Sequence, residues 1–75
     1  MHPLKDKNVI VMASNYIYYG TLEEVCIDRI TLNNPSIIYE TGEWSASEWK
    51  DIQKLPTNRI HIERSAVESI FEVNK

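Results

Sequence analysis

The residues of this chain best suited to chemistry are few and sit at two breaks in apolar sequence. Arg64-Ser65 interrupts an apolar pattern, placing a guanidinium and a hydroxyl where they can face a phosphate or a planar base. Asp28-Arg29 reads as a turn that sets a carboxylate beside a second guanidinium. Catalytic constellations are otherwise missing. Glu23 and Glu24 are adjacent in a strand pattern and so point to opposite faces, the wrong arrangement for a paired-carboxylate acid and base. His61 falls on the polar side of its strand, with no acid or nucleophile placed in sequence to use it. Cys26 lies in an apolar context that suggests a buried, inert thiol. There is no phosphate-cradling glycine loop, no metal-ligand spacing and no nucleophile motif, so a non-enzymatic protein without cofactor or metal is expected.

Tyr16, Tyr18, Tyr19 and Tyr39 form a second class of candidates. A base stacked on such a ring gains about 1–3 kcal/mol. A strand tyrosine more often fills a core or an interface while its hydroxyl finds water. Trp44 and Trp49 read in the same way, as residues that pin a loop or meet a protein partner.

The elements that must position these groups are mostly strands. Residues 1–7 are polar apart from Leu4, and Pro3 can open a short helix or an arm. From Asn8 apolar residues occupy both alternating sets, as in a strand buried on at least one side. Residues 17–27 are rich in β-branched and aromatic types, and Gly20 inside them marks a bulge, a bend or a close backbone approach. A third strand begins at Ile30, breaks at Asn33-Asn34-Pro35 and resumes at Ser36. Residues 41–58 differ in kind and read as a variable insert, in which Ser45 and Glu48 fit a capping box for one helical turn, with a structured loop as the equal alternative. Residues 59–63 and 66–73 give two more strands across a tight turn at Arg64-Ser65. Five strands in so short a chain favour an all-β fold, a small and strongly bent barrel.

At 75 residues the chain makes one domain that is marginal when alone. A single cysteine excludes an internal disulfide, and oligomerisation is the remaining common remedy. The net charge of −3 excludes a broad basic footprint for nucleic acid but not a small local site. No apolar run reaches membrane-span length and no secretory leader pattern is seen, so a cytoplasmic protein without membrane contact is expected.

The order of strand, bent glycine strand, third strand, insert and two short strands resembles the Sm/LSm family, including its bacterial host factor Q branch. Asn15, Gly20, Leu22 and Val25 follow that family's first signature. Ile62-Glu63-Arg64-Ser65-Ala66-Val67-Glu68-Ser69-Ile70 is similar to its second, with Arg64 and Ser65 on a lysine-histidine pair and Ala66, Val67 and Ile70 on core positions. Departures are plain: the family's base-stacking aromatic falls near Asp28, where a carboxylate repels RNA instead, and the family's aspartate after the bent strand falls on Cys26. The insert with its two tryptophans is similar to those of divergent members of phage or environmental origin.

The resemblance implies a five-stranded Sm-like barrel in a closed homo-oligomeric ring of five to seven subunits. It implies edges at residues 66–73 and at the bent Gly20 strand, with Gly20, Leu22, Val67, Ile70 and Phe71 at the subunit interface. It implies single-stranded RNA as ligand, with Arg64, Ser65, Arg29 and Asp28 as candidate contacts. One alternative is a non-RNA scaffold that binds protein through the Trp44/Trp49 insert. Another keeps the barrel as an SH3-like module docking a peptide on its tyrosines.

Overall fold

A computed structural model describes residues 2–75 of the chain. It is antiparallel β throughout: β1 (Asn8–Ala13), β2 (Ile17–Val25), β3 (Arg29–Glu40), β4 (Asp51–Lys54), β5 (Arg59–Glu63) and β6 (Val67–Glu72), with a single 3-10 turn, Arg64–Ala66, before β6. The strand order is β4-β3-β2-β1-β6, and β5 also pairs with β3. All-β is therefore right, while a closed five-stranded barrel is not. Among the described residues the sheet has six strands and stays open, because β6 pairs with β1 and β5 with β3, and no ladder joins β5 to β6.

The extra strand comes from the insert and needs the length of β3. The first half of β3 carries β5, from Arg29 opposite Glu63 to Asn33 opposite Arg59. Its second half carries β4, from Ser36 opposite Lys54 to Glu40 opposite Asp51. Between them Asn34 adopts a left-handed φ of 51°, and the backbone bonds Asn34 N to Asn58 O and Leu55 N to Pro35 O bridge the gap. The Asn33-Asn34-Pro35 break in the sequence is thus a bulge in one continuous strand. Gly20 lies opposite it, and a Cβ there would stand 2.9 Å from the Asn33 carbonyl oxygen. The glycine and the bulge are one feature, the place where the sheet folds over.

That bend wraps one face of the sheet around a core of Val9, Val11, Leu22, Ile30, Leu32 and Ile62, with Leu4, Val67 and Ile70 packed against it. Residues from both ends of the sheet meet there, so hydrophobic burial holds the bend without a closing ladder. On the other face Ile10 is fully buried in register between Tyr19 and Phe71. The insert covers this position: Trp49 packs edge-on to Tyr19 at 5.5 Å, and Trp44 to Phe71 at 5.8 Å and to Trp49 at 5.6 Å.

Two segments for which the sequence leaves a helix and a non-helical form both open are turns. Residues 3–6 form turns held by Lys5 N to His2 O and Lys7 N to Leu4 O, not a helix. Ser45 and Glu48 lie in turns and bends rather than a helix, and Trp44 and Trp49 pack on each other across that segment. Among the described residues no helix is long and apolar enough to cross a membrane.

Candidate functional site

Two turns meet at one end of the sheet. The β2–β3 turn is closed by the Cys26 amide donating to the Arg29 carbonyl at 2.8 Å. The 3-10 turn after β5 rests against it through Arg64, whose amide donates to Asp28 O at 3.0 Å. The Arg64 guanidinium also donates from Nη1 to Cys26 O at 3.1 Å. One residue thereby crosses both turns with backbone and side chain, and an open cleft of about 620 Å³ lies between them. Arg64, Ser65, Arg29 and Asp28, far apart in sequence, all line it.

Ile27, His61 and Glu63 line the same cleft and were not singled out as ligands by sequence reasoning. Ile27 is 93% exposed at the lip, a large apolar side chain held out by the turn. The signal for the other two lies in the β3–β5 register, which sets Glu63 opposite Arg29 and His61 opposite Thr31. The His61 ring is fixed by a 2.9 Å hydrogen bond between Nδ1 and the buried Thr31 hydroxyl.

Two guanidiniums face two carboxylates here, so the formal charge of the cleft is zero with His61 neutral. The cations are not equivalent. Arg29 Nη1 lies 3.7 Å from Asp28 Oδ1, while its Nε is buried with no hydrogen-bond partner among the described residues. Neither Arg64 nor Glu63 makes an ion pair among the described residues, so Arg64 is the unpaired cation of the cleft. Cys26 is half-buried rather than buried. Its thiol donates to Glu24 Oε1 at 3.3 Å, and that hydrogen bond, with partial desolvation and the carboxylate charge, pushes the thiol pKa up. The thiol is held protonated, which suits it poorly as a nucleophile or metal ligand. Among the described residues no group of His, Cys, Asp and Glu side chains is placed to hold a metal ion.

The residues expected at a subunit interface divide. Val67, Ile70 and Phe71 lie on β6, whose side away from β1 is unpaired among the described residues. Gly20 and Leu22 do not lie on an edge. Their strand is paired to β1 on one side and β3 on the other, and both residues are buried, so the expectation of a free edge at the Gly20 strand is corrected. The second free edge belongs to β4 and β5. No protein-family model, curated protein or solved structure matches this chain.

Proposed function

We propose that this chain is an Sm-like subunit of a closed homo-oligomeric ring that binds single-stranded RNA in the cleft of Arg64, Ser65, Arg29 and Asp28. The observation that carries the reading is the junction at Arg64, which brings these four residues from two distant turns into one open cleft. If the insert strand β4 is set aside, the remaining order β5-β3-β2-β1-β6 is a bent five-strand frame consistent with the family resemblance. The open sheet supports the ring in turn. It leaves one edge at β6 and one at β4 and β5, and pairing the first with the second of a neighbour is a head-to-tail contact that uses both.

Arg64 offers one unpaired guanidinium per subunit, which suits a phosphate, while Ser65 and the two carboxylates suit the polar edges of bases. Ring symmetry would repeat this weak site and let avidity supply the affinity. Sedimentation equilibrium tests the assembly, and a monomer of 8.8 kDa would sink it. Fluorescence anisotropy with short U-rich and A-rich RNA at graded salt tests the ligand. Binding that weakens with salt and is lost in Arg64→Ala is expected; no binding at low salt, or binding indifferent to Arg64→Ala, removes the RNA reading.

A second reading, an oligomeric protein scaffold, is favoured by the half-exposed Trp44 on the insert. It predicts the same ring without RNA affinity.

A further inference from the structure

The insert and Lys75 together make a site of a different kind, and its argument does not rest on the RNA reading. The Lys75 ammonium donates to the carbonyl oxygens of Ala46 at 2.8 Å, Trp44 at 3.3 Å and Glu43 at 3.4 Å. An alkylammonium has three N–H donors and no acceptor, so three carbonyls satisfy it completely. Its Nζ also stands 3.8 Å from the Trp49 ring centroid, within reach of the negative face of the indole. The Tyr19 hydroxyl donates to the Lys75 carbonyl and ties the backbone of this residue to the sheet.

No carboxylate pairs with this ammonium among the described residues. Recognition is by fixed carbonyl dipoles and a ring face, in geometry specific for a primary ammonium. Beside it lies an open cavity of about 680 Å³, lined by Trp44, Ser45, Ser47, Phe71 and Glu72 as well as Lys75. Trp44 is 50% exposed at its wall. The cavity is far larger than the seated ammonium needs, and Trp44, Ala46 and Lys75 belong both to its lining and to the ammonium's hydrogen bonds.

We propose that residues 43–49 form a receptor for a lysine side chain, closed in this structure by Lys75 and open to a lysine of a partner polypeptide when Lys75 withdraws. The in-chain lysine acts as a tethered competitor, at an effective concentration set by its short link to β6. Salt weakens the interaction little, since no ion pair is involved.

Trp44 and Trp49 are the only tryptophans, so intrinsic emission reads the site directly. Lys75→Met keeps the length of the side chain and removes the cation. Titrated with n-butylammonium, this variant is expected to show a saturable emission change, with half-saturation roughly tenfold below that of the wild-type chain. Tetramethylammonium, which has no N–H to give the carbonyls, binds more weakly, and butanol gives no change. N-acetyl-lysine methylamide reproduces the effect of butylammonium. A folded Lys75→Met protein indifferent to butylammonium overturns the proposal, as does an equal response in wild type and variant. A response to butylammonium but not to N-acetyl-lysine methylamide overturns the assignment of a lysine partner. If Lys75→Met does not fold, butylammonium must restore its folding by circular dichroism; failure to restore it is likewise a refutation.

Discussion

Gly20→Ala tests the joint on which this molecule bends. The added methyl would stand 2.9 Å from Asn33 O and 3.4 Å from both the Leu32 Cβ and the Pro35 Cα. The nearest obstacle is backbone, paired in the β2–β3 ladder, and it has no rotamer by which to escape. Overpacking of this kind costs about 1–3 kcal/mol. Against it stands the gain from replacing a flexible glycine in a strand, about 0.5–1 kcal/mol. The packing cost wins, for a net loss of about 1–2 kcal/mol. In a domain of this size each kcal/mol moves the melting temperature by roughly 4–8 °C, so a fall of about 5–15 °C is expected. Urea unfolding followed by tryptophan emission should show a lower midpoint with an unchanged slope, the mark of lost stability without a changed unfolded state. Gly42→Ala serves as the contrast, because its φ of +70° makes the cost conformational, about 1 kcal/mol, and confines it to the insert. A Gly20→Ala protein as stable as wild type would refute the close approach of β2 and β3 and the bend built on it.

Further outcomes follow from the core, the cleft and the thiol. Ile62→Ala removes a core side chain from β5 and should cost about 2–5 kcal/mol by chemical denaturation, a large share of the stability of so small a domain. Asp28→Asn frees Arg29 from the carboxylate 3.7 Å away; this exposed pair is worth about 0.2–1 kcal/mol, so RNA affinity per site should rise up to about fivefold in anisotropy titrations. Alkylation of Cys26 by iodoacetamide, followed by mass spectrometry across pH, should have its midpoint above the ordinary thiol range. Glu24→Gln should bring that midpoint down, because it removes the anion that disfavours the thiolate.

Strand content was legible because period-two alternation and β-branched residues report local geometry directly, as at Ile60-His61-Ile62. Gly20 and the Asn33-Asn34-Pro35 break were both visible as irregularities. Their identity as one joint was not, since it depends on a register between strands that local sequence does not encode. The same limit explains the misplaced edge. A strand with residues suited to both faces gives no sign of which side its ladder leaves free, and β2 proved central. At Ser45 and Glu48 the sequence leaves a helical turn and a structured loop equally open, because a capping pattern is a local preference. Here it was overridden by the packing of Trp44 and Trp49 on Phe71 and Tyr19. At the site, Arg64 and Asp28 were each recognisable as turn residues, while the hydrogen bonds that join their turns appear only in three dimensions.

The charge of the cleft binds the two halves of the proposed function together. One unpaired guanidinium engages about one phosphate, and for a single strand that yields a logarithmic salt slope near −0.7 per subunit. A lone subunit with net charge −3 therefore has little to hold RNA against its own surface repulsion. Several copies facing one strand change this, because each contact after the first is intramolecular. Affinity and salt slope must then rise together with the number of subunits engaged. A ring that binds RNA with a slope near −0.7 in total uses only one subunit, and a monomer that binds as tightly as the assembly needs no ring. Either result separates Arg64 from the symmetry that is meant to multiply it.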